Sequence, residues 1–148
     1  MSGGYQGGAE ISTRRDWQTP LALFRQLDAE FQFTLDAAAS AENTLCERYF
    51  SIENDALTRD WDGVAYCNPP YGQRQIPRWA KKASEQAARG TTVVMLVPAR
   101  TDTAWWHDYV VPFAEVRFLR GRVKFEGAPT TAPFPSAVVI FRGRGAHP

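Results

Sequence analysis

Apolar positions along the chain fall in short runs whose spacing changes from one run to the next. Over residues 19–31, Leu23, Phe24, Leu27 and Phe31 recur at helical spacing, with Thr19 as a cap and Pro20 suited to the first helical position. Residues 33–36 (FTLD) predict a short buried strand, followed by the small residues Ala37, Ala38, Ala39 and Ser40. The stretch 41–60 is polar and mixed, which predicts a loop, a short strand near 48–50 and one helical turn around 55–58. Residues 64–67 form a second apolar run, bounded by Gly63 and by Asn68-Pro69-Pro70. A helix is expected over 76–89, with Pro77 near its start and Gly90 at its end. The run TTVVMLV at 91–97 reads as a strand covered on both faces. A further helix over 105–113, closing near Pro112, precedes two last strands at 116–125 and 136–142.

Strands alternating with helices predict an α/β fold with a mostly parallel sheet. The last two strands are joined by the short irregular link 126–135, so they are expected to pair antiparallel, since a parallel crossover needs a dozen residues or more.

At 148 residues the chain is expected to form a single domain over 13–148, behind a polar, glycine-rich leader at 1–12 that does not resemble a signal peptide. No apolar stretch approaches the ~20 residues that cross a bilayer. Cys46 and Cys67 form no CxxC pattern, and with His107 and His147 as the two histidines no metal site is expected. A reduced, cytoplasmic protein fits these features. The formal net charge is +1, so no global field announces nucleic acid. Locally, Arg117, Arg120, Arg122 and Lys124 stand together without an acid between them. Such a segment suits phosphate, and equally a solvated strand edge.

The sharpest local signal is Asn68-Pro69-Pro70-Tyr71, directly after a predicted strand. In open α/β sheets ligands bind beyond the carboxyl ends of strands. There the Asn68 side-chain oxygen and the Pro69 carbonyl are two acceptors for an exocyclic amine, the prolines stiffen the loop, and Tyr71 offers a face on which an extruded base stacks. The same four residues also describe a proline-rich turn with a surface tyrosine. Asp36 with Ala37 and Ala38 marks a second place where a cofactor could approach the backbone, or an alanine-rich helix start capped by the acid. Asp16-Trp17-Gln18-Thr19-Pro20 offers a hydroxyl and helix N–H groups to a carboxylate, or is a plain helix cap. Asp60-Trp61 pairs an acceptor with a ring for an adenine, or is a core tryptophan beside a surface acid.

In order and spacing, the pieces DWQTP, FTLDAAAS, AEN, YF, DW, CNPPYG, LVPARTDTAWWHD, GRVKF and FPSAVVIF resemble the phage-type DNA N6-adenine methyltransferases, from about Asp16 to Phe141. The resemblance implies a Rossmann-like class I methyltransferase fold that binds S-adenosylmethionine. It implies that Asn68, Pro69, Pro70 and Tyr71 form the catalytic loop. It implies that Trp17, Thr19 and Pro20 lie against the methionine end, that Asp36, Ala37 and Ala38 line the methionine side, that Asp55 serves the ribose, and that Asp60 and Trp61 hold the cofactor adenine. Arg100, Arg122 and Lys124 belong to the shared pattern and are expected to border a DNA channel, positioning the strand through phosphate. No separate target-recognition segment is visible, so specificity falls to the loops 71–76 and 126–135 or to a second subunit. Double-stranded DNA with a flipped adenine is the expected partner, for a monomer or homodimer. The Asn-Pro-Pro-Tyr loop by itself also fits amino-methylation of RNA, cytosine N4 or protein glutamine, and a catalytically silent nucleic-acid-binding module.

Overall fold

The computed structural model describes residues 17–51, 56–72 and 74–144; the leader at 1–12, Asp16 and Asp55 lie outside the described residues. Among the described residues there are six strands: β1 (Leu35–Ala39), β2 (Tyr49–Ser51), β3 (Val64–Cys67), β4 (Thr92–Pro98), β5 (Glu115–Phe118) and β6 (Ser136–Phe141). They make one sheet in the order β2-β1-β3-β4-β6-β5. β2, β1, β3 and β4 run parallel, and β6 lies antiparallel between β4 and β5. The described helices are α1 (Leu21–Phe31), α2 (Gln75–Ala88) and a last helix whose wide turn Trp106–Val110 leads into α3 (Val111–Phe113). None of the described helices is long and apolar enough to cross a membrane.

The alternation of β4 explains the layering. Val93, Met95 and Val97 face a cluster built on Trp79, Ala80 and Ala83 of α2. Val94 and Leu96 face the opposite cluster, with Phe24 and Leu27 of α1. Both faces are therefore covered, which is why this strand reads as an unbroken apolar run. Small residues on α2 let it lie close to the sheet. Gly90 ends it at φ +112°, a conformation that other residues reach only with strain. The wide turn before α3 has a local cause: Pro112 has no N–H to donate and its ring crowds the carbonyl four residues back. The Val111 N–H bonds instead to Trp106, five residues back.

Three expectations shift. The strand expected at 33–36 lies at Leu35–Ala39, so Asp36 is its second residue and the alanines are strand, not loop. Alanine is a poor strand former, but burial between β2 and β3 overrides that preference. The strand expected at 116–125 ends at Phe118. Beyond it, Gly121 turns at φ +77° and Phe125 is carried into the core on the α1 side. Finally, Pro20 occupies the cap position of α1, without a side-chain cap bond, so Thr19 is not the helix cap.

Trp61 fixes the junction between the turn Ala56–Thr58 and α2. Its ring is fully buried against Trp79, its indole N–H donates to the Ala56 carbonyl at 2.8 Å, and its backbone N–H donates to Gln86 Oε1 at 2.6 Å. Trp61→Ala is expected to destabilise the fold by about 3–5 kcal/mol, as other large-to-small aromatic deletions do. Urea unfolding followed by circular dichroism measures it, and a loss under ~1 kcal/mol would contradict this packing.

Candidate active site at the carboxyl end of β3

Asn68 follows β3 directly and is fully buried. Side chains alternate along a strand, so Tyr66 and Asn68 share the face toward α1. The Asn68 amide nitrogen donates to the Trp17 carbonyl at 2.6 Å and to Thr19 Oγ1 at 3.2 Å. A carbonyl only accepts, so this contact fixes which end of the amide is nitrogen and aims the side-chain oxygen the other way. Thr19 Oγ1 also meets the Tyr66 hydroxyl at 2.5 Å, closing a buried chain Tyr66–Thr19–Asn68. Tyr66 was not singled out from the sequence, although its place two residues before Asn68 puts it on the same face. Pro69 and Pro70 are buried, and Tyr71 is anchored by donation from its hydroxyl to the Leu96 carbonyl at 2.8 Å.

An aromatic group surrounds this loop. Trp17 stacks toward Tyr71, with centroids 6.3 Å apart and planes 23° from parallel. Phe125 and Phe134 meet both rings at 5.2–6.2 Å. Neither phenylalanine was expected, because each arrives from an irregular segment distant in sequence. The structure brings Arg100, Arg122 and Lys124 to the same region. All three are exposed. The Arg100 guanidinium lies 5.9 Å from the Phe134 ring centroid. Arg122 donates to the Ala132 carbonyl at 3.4 Å, and Lys124 to the Ala128 carbonyl at 2.8 Å. The basic run therefore divides. Arg117 turns to the sheet edge, where it pairs with Glu30 and Glu115, and Arg142 joins Glu115. The Arg117 hydrogen bond holds the Glu30 carboxyl below its ordinary range, and those of Arg142 and Arg117 do the same for Glu115.

The other expected cofactor residues separate into two groups. The parallel register sets Asp36 level with Tyr66, two residues before Asn68 on the neighbouring strand. Asp36 is buried and accepts from the Leu45 N–H at 3.0 Å and the Ala38 N–H at 3.3 Å. Ala37 is buried beside it. Pro20 begins α1, whose Leu21 N–H donates to the Glu126 carboxylate at 2.9 Å. These residues gather near Asn68. Asp60 and Trp61 do not. They precede β3, Asp60 pairs with Arg89 at 3.0 Å at the end of α2, and the Thr91 hydroxyl donates to the Trp61 carbonyl just before β4. They sit at the amino end of the strands, opposite the Asn68 loop.

Beside Asp36 lies Cys46, whose thiol is pushed up to about 12 by burial and, secondarily, by the negative charges of Asp36 and Asp28. It stays protonated at neutral pH. At pH 8.5 its thiolate fraction falls roughly a thousandfold below that of a free thiol. Native protein should therefore resist iodoacetamide at pH 8.5 and label readily once unfolded. Fast native labelling mapped to Cys46 by mass spectrometry would contradict this environment.

Comparison with known proteins identifies the family. A family model described as DNA N-6-adenine-methyltransferase (Dam) matches residues 8–141. A DNA N-6-adenine-methyltransferase of Escherichia phage T1 is 36% identical over 116 residues, covering 76% of this chain and 48% of the relative. One of Haemophilus phage HP1 (strain HP1c1) is 32% identical over 114 residues, covering 74% of this chain and 65% of the relative. A putative methyltransferase of Escherichia coli (strain K12) is 35% identical over 63 residues, 37% of this chain and 69% of that protein. The chain thus spans about half of the phage T1 relative and somewhat under two thirds of the phage HP1 relative. With the matched region covering nearly the whole sequence, the chain belongs to the DNA N-6-adenine-methyltransferase (Dam) family.

Proposed function

We propose that this chain transfers a methyl group from S-adenosylmethionine to the exocyclic N6 amine of adenine in DNA, on a Rossmann-like class I methyltransferase fold. The observation that carries the reading is the fixed Asn68 amide at the carboxyl end of β3. Family membership and the names of the phage relatives support adenine in DNA over other amine substrates.

The residues present suit the cofactor. The first N–H of α1 already takes a carboxylate, that of Glu126, which supports the Thr19-Pro20 end as the place for the methionine carboxylate. Ala37 and Ala38 carry only methyl side chains on the strand beside β3, which supports close approach to the β1 backbone. Asp36, held by the Leu45 and Ala38 amides, is the acid assigned to the ammonium group, and Asp55 is assigned to the ribose. S-adenosylmethionine, when bound, supplies an electrophilic methyl on a sulfonium.

The remaining work falls to the chain's own residues. The amine of a stacked base cannot reach a buried donor, so the adenine leaves the duplex and packs on Tyr71. The Asn68 side-chain oxygen and the Pro69 carbonyl accept the two amine hydrogens. They hold the nitrogen in place and stabilise the positive charge that develops on it during attack. Because Asn68 is locked from behind by Trp17 and Thr19, its oxygen needs no reorganisation at that moment. Arg100, Arg122 and Lys124 meet the phosphates around the opening.

The test is transfer of labelled methyl from S-adenosylmethionine to unmethylated double-stranded DNA, followed by nucleoside analysis. Label is expected in N6-methyladenine, and Asn68→Ala is expected to lower the rate by about 10²–10³, as removal of one preorganised polar group does elsewhere. Thr19→Val, which removes only the hydroxyl that orients Asn68, is expected to cost about tenfold. Absence of label on DNA from protein that binds S-adenosylmethionine would overturn the reading.

A further inference from the structure

A pocket lies close to the Asn68 loop, and none of the loop's residues lines it. It encloses about 330 Å³ between Trp17 on one side and the 127–133 turn on the other. That volume lies within the range of small-ligand sites. Asn68, Pro69, Pro70 and Tyr71 are not among its walls. Trp17 joins the two places: its carbonyl holds Asn68, its ring stacks toward Tyr71, and it forms one wall of the pocket.

The chemistry of the walls is specific. Trp17 supplies a flat aromatic surface, and Pro129 and Pro133 supply apolar, stiff ones. Thr130 and Thr131 are exposed, and the Thr131 hydroxyl makes no hydrogen bond among the described residues. The turn is held in shape by the Arg122 bond to the Ala132 carbonyl, the Lys124 bond to the Ala128 carbonyl and the Ala132 N–H bond to the Val123 carbonyl at 2.8 Å. The cations that brace the turn are also exposed beside it, with no ion pair among the described residues. A flat apolar slot with hydroxyls, rimmed by cations, matches a nucleotide: base inside, phosphate outside.

We propose that this pocket holds one nucleobase of the DNA substrate next to the methylated adenine, and that Thr130 and Thr131 read its edge. The proposal rests on the DNA-methylation reading above. The base it holds is a neighbour of the target, because the target amine must meet Asn68 and the pocket does not reach that residue. Recognition of that neighbour thus arises within the 119–135 segment. Arg122 and Lys124 are positioning residues for the turn in addition to facing phosphate.

The test uses the full chain and a duplex library with one adenine and randomised bases on both sides, the methylated products being identified by sequencing. Wild-type protein is expected to favour particular bases at one neighbouring position. Thr131→Val and Thr130→Val keep shape and remove the hydroxyl. At least one is expected to change that base preference by about fivefold to tenfold, the size of a lost hydrogen bond. Arg100→Gln, at a residue outside the pocket walls, is expected to weaken methylation across all sequences and leave the preference intact. Wild-type methylation without any neighbour preference, or the same preference in both threonine variants, would overturn the pocket while leaving the enzymatic reading in place. No N6-methyladenine from wild-type protein would overturn both.

Discussion

The buried amide of Asn68 is the constraint on which the site depends. An uncompensated amide in this position would cost several kcal/mol, since no water replaces its lost hydrogen bonds. Compensation comes from Trp17 and Thr19, 51 and 49 residues earlier in the chain. Seating these two acceptors draws the 17–20 segment across the carboxyl end of β3. That placement directs α1 onto one face of the sheet, where Phe24 and Leu27 meet Tyr66, Val94 and Leu96. It also sets the Trp17 ring beside Tyr71, Phe125 and Phe134. One polar requirement thus organises the Asn68 loop, a helix and an aromatic cluster together.

Features governed by local pattern were legible before any coordinates. The run Val64–Cys67, the doubly covered β4, the alanine-faced α2 and the antiparallel β5–β6 pair follow from periodicity, length and linker size. The position of Asn68 beyond a strand was legible for the same reason. What could not be read was set by contacts between distant segments. Three alanines have little intrinsic reason to be strand, yet the space between β2 and β3 makes them so. Thr19 has the residue type and spacing of a cap, but Tyr66 and Asn68 take its hydroxyl. Asp60 and Trp61 resemble a ligand pair in sequence, while Arg89, Ala56 and Gln86 bind them at the other end of the sheet. Phe125 and Phe134 carry no local mark at all.

Charge shows the same division. The run from Arg117 to Lys124 is uniform in sequence, but the fold sorts it. Arg117 and Arg142 are paired with Glu30 and Glu115 at the sheet edge, where they neutralise the acids and brace the exposed end of β5. Arg122 and Lys124 turn instead to the carbonyls of Ala132 and Ala128 in the 127–133 turn. A chain of net charge +1 can in this way hold a local positive surface without a global field.

The 119–135 segment links the aromatic cluster, the Asn68 lock and the basic residues. Its phenylalanines pack under Tyr71, so they set the plane on which a base would rest. Its Glu126 pairs with Gln18 through the backbone and with the Leu21 N–H through its carboxylate, so it is tied to the same 17–21 segment that locks Asn68. Its arginine and lysine shape the turn that faces Trp17. Any shift of this segment is therefore felt at Trp17, and through the Trp17 carbonyl at Asn68. In packed interiors such displacements are transmitted, not absorbed. The 119–135 segment and the Asn68 amide are thus joined by one short mechanical path.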